Sequence, residues 1–157
     1  MNPRQTRTPR QWLIIAERNA AEWPQAVRAL RTGSGVLVLF NERRPEERQK
    51  ILRRLRLAAR SKRLAVVDEA TGSAARVHDL RELRRPLLAR TPLILLSPMF
   101  PTRSHPDWRA LPRMRAAAFA RLAGRRLIAL GGMTERRFRQ VEPLGFQAWA
   151  GMDAFRT

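Results

Sequence analysis

The sequence predicts an α/β protein built on a parallel β-sheet. Short apolar segments of strand length recur along the chain, and amphipathic segments of helix length separate them. The strand candidates are apolar on both faces, which is typical of parallel sheets covered by helices. Seven strand candidates alternate with about five helices, and this indicates repeated βα units. Periodicity alone leaves two architectures open, a doubly wound sheet and a (β/α) barrel.

The N-terminal half contains three predicted strands and two predicted helices. The strands are residues 11–17 (QWLIIAE), 35–40 (GVLVLF) and 63–69 (RLAVVDE). The first helix, residues 20–33, ends at Gly33, a residue that tolerates the left-handed conformation common at helix ends. The second helix, residues 44–62, has Pro45 in its first turn, where proline fits, followed by two glutamates near the positive end of the helix.

The C-terminal half continues the alternation after a link, residues 70–75 (ATGSAA), that is too short for a full helix. Four strands are predicted there, at residues 76–79 (RVHD), 91–98 (TPLILLSP), 125–132 (RRLIALGG) and 146–155 (FQAWAGMDAF). The predicted helices are residues 80–90, bent or ended near Pro86, residues 108–124, closed by Gly124, and residues 134–145, capped by Thr134. We expect Trp12, Trp23 and Trp149 to lie in the core.

Length and composition suit one domain with a hydrophobic core, because the chain has 157 residues and 44% of them are hydrophobic. We predict a flexible basic arm over residues 1–10 and a single domain over residues 11–157. The absence of cysteine excludes disulfides and thiolate metal sites. No apolar run reaches the roughly 18 residues of a membrane span, so we expect a cytoplasmic protein with no membrane partner.

The formal net charge is +19, which raises the question of a nucleic-acid partner. Of the 32 basic residues only Lys50 and Lys62 are lysines. Such a ratio suggests a general bias towards arginine as readily as selection for a polyanion, and the arginines are spread over nearly every helix. We therefore interpret them mainly as solvated helix faces, and a nucleic-acid partner is not expected.

Ligands of both candidate architectures bind at the carboxyl ends of the strands. Polar or small residues follow six of the predicted strands: Asn41 and Glu42; Asp68 and Glu69; His78, Asp79 and Glu82; Ser97, Thr102, Arg103, Ser104 and His105; Gly131, Gly132 and Thr134; Gly151 and Asp153.

Two of these groups suggest anion binding. Gly131 and Gly132 lack a Cβ and precede a helix, so their backbone N–H groups could approach a phosphate. A tight βα turn explains this pair equally well. Residues 102–105 (TRSH) offer two hydroxyls, a guanidinium and an imidazole, and we favour a second anion site there over a simply capped loop.

Asp68, Glu69 and Glu82 could supply the oxygen ligands that Mg²⁺ prefers. Adjacent residues of a strand point to opposite faces, so at most one of Asp68 and Glu69 would face a common site. Solvated strand ends are the simpler interpretation of these carboxylates. His78, beside an apolar run, is more simply a core or rim histidine than a ligand.

Three C-terminal segments occur in a recognisable order: LLSPMFPTRSHP (95–106), RRLIALGGMTERRF (125–138) and GFQAWAGMDAF (145–155). They resemble the C-terminal third of the thiamine phosphate synthase and TenI-like family. That family has a proline-phenylalanine-proline-threonine loop after one strand, an isoleucine-glycine-glycine strand end, and a last strand of small residues. The spacing matches across residues 93–156, and WLIIAERN (12–19) more weakly resembles the family's first strand.

The resemblance implies a (β/α)₈ barrel, and we expect a reduced one of about seven strands. Only one helix is predicted between residues 76–79 and 91–98, so the βα unit around the usual fifth strand is missing. The chain is also shorter than the roughly 200 residues that barrels usually need. A partner subunit that completes the barrel, giving a homodimer, is therefore also an expectation.

The resemblance further implies that an aminopyrimidine diphosphate is joined to a thiazole phosphate, with release of pyrophosphate and help from Mg²⁺. On this basis Thr102 and Ser104 hold pyrophosphate, while Arg103 and His105 are the catalytic cations. The phosphate of the thiazole would bind Gly131, Gly132 and Thr134. The Mg²⁺ ligands would be Asp68 or Glu69, with Glu82 as an approximate second carboxylate.

The chain departs from the family pattern at three places. His105 stands where family synthases have a lysine, and a neutral imidazole would hold pyrophosphate less well. The second strand lacks the glutamine-x-arginine-x-lysine pattern and offers only Arg43 and Arg44. Met152 and Asp153 replace a serine that faces phosphate, and an aspartate would repel this group.

These departures keep other functions open. One alternative is a TenI-like thiazole tautomerase that uses His105 for proton transfer, or a protein that binds the phosphorylated ligand without turnover. The other is an arginine-rich RNA-binding domain.

Overall fold

The computed structural model describes residues 8–40 and 44–155 of the chain, and seven strands and five α-helices lie within them. The strands are β1 (Gln11–Ile15), β2 (Gly35–Val38), β3 (Ala65–Asp68), β4 (Ala74–Val77), β5 (Leu93–Leu96), β6 (Leu127–Ala129) and β7 (Ala148–Gly151). The helices are α1 (Trp23–Ala29), α2 (Pro45–Arg60), α3 (Leu80–Leu88), α4 (Arg113–Ala123) and α5 (Glu135–Val141). Short 3₁₀ turns complete several of the connections.

The described strands form one parallel sheet with the order β3-β2-β1-β7-β6-β5-β4. The first strand pairs with both the second and the last, so the sheet curls back on itself as a barrel does. A doubly wound sheet would place the fourth strand beside the first, and that alternative is therefore excluded. The protein is an incomplete TIM-type barrel that is open between β3 and β4, which confirms the predicted reduced barrel.

Two apolar layers follow from the alternation of side chains along each strand. The inner layer fills the barrel and contains Trp12, Ile14, Leu37, Ala74, Leu93, Leu95, Ile128, Ala148 and Ala150. The outer layer joins the other face of the strands, such as Leu13 and Ile15 of β1, to the apolar faces of the helices. Trp12, Trp23 and Trp149 are all buried, as the sequence predicts.

Trp12 occupies the barrel interior because Gly35 leaves room for its ring. A Cβ built on Gly35 would lie 2.2 Å from Trp12 Cε3, far inside van der Waals contact. The indole Nε1 donates a hydrogen bond of 2.9 Å to the carbonyl oxygen of Pro9, so its polar group is satisfied at the amino end of the barrel. This tryptophan helps to fill the space that a smaller barrel encloses.

The opening of the barrel lies where the chain lacks a helix. Residues 69–73 join β3 to β4, and they contain only a 3₁₀ turn (Glu69–Thr71). By contrast, one complete helix joins β4 to β5, as predicted. Because no backbone hydrogen bonds join β3 to β4, both are edge strands. We call this gap the seam.

The structure corrects one predicted helix boundary and agrees with another. The helix predicted at residues 108–124 begins only at Arg113, because Pro112 has an extended conformation with ψ of 140°. The N–H of Leu111 instead donates to the carbonyl of Pro98 and ties this segment to the β5 loop. The helix predicted at residues 80–90 ends at Leu88, near Pro86 as predicted, and Pro86 itself lies inside α3 and is buried.

Most of the predicted arm, residues 1–7, lies outside the described residues. Arg10 at its end is anchored, because its guanidinium donates hydrogen bonds to the carboxylates of Glu142 and Glu135. It also lies 4.5 Å from the centre of the Phe138 ring. Among the described residues, no helix has both the length and the apolar content needed to cross a membrane.

Candidate functional site

A cavity of about 450 Å³ lies at the carboxyl ends of the strands and is lined by Arg18, Arg103, Ser104 and Asp153. These residues come from three separate connections. Arg18 lies in the 3₁₀ turn after β1, Arg103 and Ser104 lie in the loop after β5, and Asp153 follows β7. The fold thus places polar groups from distant parts of the sequence around one opening, at the end of the barrel where ligands of this architecture bind. We call this opening the mouth.

Arg18 carries a positive charge whose hydrogen-bond partners are neutral. Its Nη2 donates to the hydroxyl of Ser104, and its Nε and Nη2 donate to the Met152 sulfur at 3.1 and 3.0 Å. A thioether is a weak acceptor, so it satisfies a guanidinium poorly. Arg18 forms no ion pair within the described chain. An anionic ligand would therefore gain two strong donors here without displacing a carboxylate.

The loop after β5 presents the second guanidinium. The N–H of Ser104 donates to Thr102 Oγ1 at 3.2 Å, and this local hydrogen bond shapes the turn that carries Arg103 between them. Arg103 is exposed and has neither a hydrogen bond nor an ion pair with any described residue. Two arginines without carboxylate partners thus face one cavity, and Asp153 adds a single negative charge to its wall.

The glycine turn after β6 packs tightly on the β5 loop. Met99 and Phe100 donate backbone hydrogen bonds to the carbonyls of Leu130 and Gly131, at 2.9 and 3.1 Å. A Cβ on Gly131 would lie 2.9 Å from Pro98 Cα, and one on Gly132 would lie 2.4 Å from the Pro101 oxygen. Both glycines also have positive φ. Close packing of two loops is therefore one reason for the glycine pair, and it brings the turn to within one residue of Thr102.

Arg137 and Thr134 support this turn from α5. Thr134 Oγ1 accepts a hydrogen bond from the Arg137 N–H, which confirms the predicted helix cap. The Arg137 guanidinium donates to the Gly132 carbonyl and lies 5.1 Å from the centre of the Phe100 ring. The Thr134 oxygen accepts this capping bond, so its O–H remains able to donate to a phosphate.

His105 lies beside the mouth in a cluster of rings. Its imidazole stacks on Trp108 with 4.1 Å between ring centres, and His78 meets the edge of the same indole at 5.1 Å. Glu82 accepts hydrogen bonds from the backbone N–H of His78 and contacts the His78 Nδ1 at 2.9 Å. Asp79 caps α3 by accepting from the Glu82 N–H. The cluster links the loop after β5 to the start of α3, but His105 does not line the cavity.

The three predicted metal ligands are not brought together. Val67 belongs to the inner layer, so its neighbour Asp68 faces the helices and pairs with Arg48 of α2. Glu69 pairs with Arg76 across the seam, at 2.9 Å, and Glu82 contacts His78. Within residues 8–40 and 44–155, no group of three or more histidine, aspartate or glutamate side chains could hold a metal.

These carboxylates therefore do not fit the Mg²⁺ ligand set implied by the resemblance, because each contacts a basic side chain elsewhere in the fold. The Mg²⁺ requirement itself remains a prediction. Asn41, Glu42 and Arg43, which follow β2, lie outside the described residues. Ser97 is buried at the end of β5 and precedes a cis peptide bond to Pro98.

Arg18 is the one cavity residue that the sequence analysis did not single out. The signal was available, since the reasoning applied to the ends of the other six strands also applies to β1, which is followed at once by Glu17, Arg18 and Asn19. The side chain of Asn19 is buried and holds this turn by donating to the Ile14 carbonyl and accepting from the Ala16 N–H. A buried asparagine next to an exposed arginine is thus the local reason for the position of Arg18.

Comparison with known proteins adds information on the fold. No protein-family model and no curated protein sequence matches the chain. Among solved structures, a thiamine phosphate pyrophosphorylase from Pyrococcus furiosus is similar with a TM-score of 0.75 and 16% identity, over 95% of this chain and 88% of that one. A thiamine phosphate pyrophosphorylase from Bacteroides thetaiotaomicron is similar with a TM-score of 0.57 and 10% identity, over 93% and 83% of the two chains.

Identities this low establish the architecture alone. They agree with the resemblance seen in the loop and glycine segments of the sequence. The protein therefore has a reduced form of the fold of the thiamine phosphate pyrophosphorylases.

Proposed function

We propose that the protein binds a phosphorylated small molecule in the mouth and that its reaction, as in the enzymes it resembles, is the condensation that forms thiamine phosphate. The observation that carries this proposal is the pair of guanidiniums, Arg18 and Arg103, which face one cavity and form no ion pair with any described residue, although Asp153 also lines that cavity. A phosphate or diphosphate supplies negative charge to pair with both arginines. Charge-assisted hydrogen bonds are the strongest polar contacts available to such a ligand.

In the proposed reaction the bond between the pyrimidine methylene carbon and the diphosphate oxygen breaks. The thiazole nitrogen forms a new bond to this carbon, and pyrophosphate leaves with the electron pair. The protein contributes position and charge: Arg18, Arg103 and the Ser104 hydroxyl stabilise the developing pyrophosphate. The turn around Gly132 is the proposed site for the phosphate of the thiazole.

The first test is binding of inorganic pyrophosphate, measured by titration calorimetry at fixed salt in the presence of a chelator. We expect Arg103→Ala and Arg18→Ala each to weaken binding about tenfold or more, because each removes a charged hydrogen bond worth about 1.5–3 kcal/mol. Arg56→Ala is the matched control, since Arg56 is an equally exposed arginine on α2, outside the mouth. Equal weakening by all three variants would mean that pyrophosphate senses only the net charge, and the proposed site would be wrong.

The second test is turnover. The protein is incubated with hydroxymethylpyrimidine diphosphate and thiazole phosphate, with and without Mg²⁺, and thiamine phosphate is quantified. Product that depends on Arg103 supports the condensation. Absence of product, together with pyrophosphate binding that depends on Arg103, supports the alternative of a binding protein without turnover.

One observation favours that alternative. Asp68 and Glu69, which would help to hold the metal, pair instead with Arg48 and Arg76. A protein that had lost the metal-dependent step while retaining the two arginines of the mouth would have this arrangement. The His105 tautomerase alternative has no comparable support, because the imidazole of His105 stacks on Trp108 and does not line the cavity.

A further inference from the structure

The outer face of α4 is apolar although it faces solvent. Met114 is 79% exposed and Leu122 is 57% exposed, and the exposed Ala118 lies between them. A spacing of four residues places these side chains along one side of the helix. The opposite side of α4, which includes Ala116, Phe119, Ala120 and Ala123, is buried in the core. A surface helix needs only one apolar side, so the second one lacks a structural reason within the chain.

The segment that carries this face is strongly basic in sequence. No aspartate or glutamate occurs between Asp107 and Glu135, and this segment contains Arg109, Arg113, Arg115, Arg121, Arg125 and Arg126. None of these six arginines forms an ion pair with a described residue. Arg113 donates to the Gln140 carbonyl, so it keeps its charge on the side of α4 that faces α5.

We propose that the outer face of α4 is a docking surface for an acidic amphipathic helix of another protein. The partner would present leucine-like side chains four residues apart, which would pack on either side of the small Ala118. Its flanking aspartates or glutamates would pair with arginines such as Arg115 and Arg121. Helix-in-groove recognition uses the same spacing of apolar anchors, and charge complementarity sets orientation and speeds association.

Charge distinguishes this partner from a second copy of the chain. If two α4 helices packed against each other, the arginines that flank the apolar face would meet their like-charged equivalents, and such contacts are unfavourable. A membrane surface is also a poorer fit. Helices that lie in a bilayer bury a broad apolar face, whereas α4 offers two large side chains and has its other side fixed in the core.

The test uses two synthetic peptides of about 15 residues with identical composition and net charge. One places its leucines four residues apart with glutamates alongside, and the other distributes the same residues around all sides of the helix. Binding of the full chain is measured by fluorescence anisotropy at about 0.15 M salt, where long-range attraction is screened. We expect the amphipathic peptide to bind at least tenfold more tightly than its control.

Substitutions locate the surface. Met114→Gln and Leu122→Gln keep good helix formers and should each weaken binding of the amphipathic peptide about tenfold. Leu57→Gln is the matched control, because Leu57 is 63% exposed on α2 and also lies among arginines. It should leave the affinity unchanged. Thermal unfolding of each variant checks that the fold is retained, and any variant that unfolds is replaced by alanine at the same position.

Three results would overturn the proposal. The two peptides could bind with equal affinity, which would show that binding depends on net charge and not on the arrangement of the leucines. The Leu57→Gln control could weaken binding as much as Leu122→Gln does. Finally, Met114→Gln and Leu122→Gln could leave peptide binding unchanged. They could instead weaken binding to vesicles containing phosphatidylserine, binding to an RNA duplex, or self-association measured by sedimentation. The last outcome would assign the face to a different class of partner.

Discussion

The mouth and the seam differ in the contacts that join neighbouring strands. At the mouth, the loops after β5 and β6 are joined by backbone hydrogen bonds and by glycines that allow the two chains to touch. At the seam, β3 and β4 share no backbone ladder; Glu69 and Arg76 form an ion pair across the gap, while Asp68 at the end of β3 pairs with Arg48 of α2. The barrel therefore has a hydrogen-bonded side that carries the candidate site and an open side that an ion pair crosses.

This contrast explains why the predicted metal ligands Asp68 and Glu69 pair with arginines. An edge strand without a neighbour exposes its polar backbone, and inward-pointing charges are one way to prevent it from pairing with another chain. Arg76 lies on the same face of β4 as Ala74, which belongs to the inner layer, and pairs with Glu69 across the gap. Asp68 and Glu69, which the resemblance assigns to Mg²⁺, thus form ion pairs beside the open edge of a barrel that lacks a βα unit.

The largest expected effect is at the mouth. Gly132→Ala should lower the free energy of unfolding by about 3 kcal/mol, because it combines left-handed strain with overpacking against the β5 loop. The added Cβ would lie 2.4 Å from the Pro101 oxygen, an atom of the backbone that cannot rotate away. Urea denaturation measures the change, and pyrophosphate affinity should fall as well, since the glycine turn packs against the β5 loop that carries Arg103 and Ser104.

The seam provides the matched control for this substitution. Gly72 has a φ of 77°, similar to the 59° of Gly132, but a Cβ there would meet nothing within 4 Å. Gly72→Ala should therefore cost only the backbone strain, about 1 kcal/mol. If both substitutions cost the same, close packing of the loops would not be the reason for the glycine pair.

The next effect concerns the buried pair of the seam side. Asp68→Asn keeps the size of the side chain and an oxygen for the Ala70 N–H, but leaves Arg48 without its counter-charge. The side chains of Asp68 and Arg48 are 6% and 19% exposed, so we expect a loss of about 2–3 kcal/mol, somewhat below the range for fully buried pairs.

A second substitution separates charge from packing. Arg48→Met in the Asp68→Asn background removes the uncompensated guanidinium and should recover at least half of the lost stability. Denaturation midpoints of the four proteins form a double-mutant cycle. No recovery in the double variant would show that the unpaired guanidinium of Arg48 is not the cause of the lost stability.

A smaller effect is expected for the pair that crosses the seam. The Arg76 side chain is 46% exposed, and Arg76→Met, which keeps the aliphatic stem, should cost about 1 kcal/mol or less. The more telling measurement is hydrogen exchange. Amides of β3 and β4 should exchange faster in the variant while those of β6 and β7 do not change, because local opening follows the weakest contacts. Uniform acceleration in all four strands would contradict the idea that the seam opens independently.

Much of the fold could be predicted from local patterns. The apolar runs around Leu37 and Leu95 identify buried parallel strands, and Thr134 identifies the start of α5. The missing helix at the seam was predicted from the short link at residues 70–75, but the lack of pairing between β3 and β4 could not be, since strand pairing is not local. The start of α4 at Arg113 was missed because the apolar residues before Pro112 continue the helical spacing, while a bond from Leu111 to the β5 loop overrides it.

The candidate site was predicted in part. Its loop and its glycine turn follow from short motifs, and the structure brings them into contact. Arg18 is distant from them in sequence and its role depends on the closure of β1 against β7, which only the three-dimensional arrangement reveals. The side chain of Asp68 points towards α2 because alternate residues of a strand face opposite sides of the sheet. The sequence predicted that at most one of Asp68 and Glu69 would face a common site, but it did not show which one.

The smallest expected effect tests an exposed ion pair on the closed side of the barrel. A hydrogen bond from Arg10 holds the pKa of Glu142 below its ordinary value, and raises the pKa of Arg10 in turn. A lowered carboxyl pKa means that the stabilisation is complete above the unfolded pKa of about 4.3 and is lost as the pH falls through the lower folded pKa. Both side chains are nearly half exposed, so solvent screening should limit the contribution to about 0.5 kcal/mol.

Glu142→Gln should therefore be slightly less stable than the parent near neutral pH, and the stabilities of the two proteins should converge as the pH falls through the lowered folded pKa of Glu142 and the carboxylate is protonated. High salt should reduce the difference at neutral pH, in contrast to the Asp68 pair, which burial shields from ions. A difference that persisted at low pH would show that the charge of Glu142 is not the cause. An equal response of both pairs to salt would show that burial does not distinguish the Asp68–Arg48 pair from the Arg10–Glu142 pair.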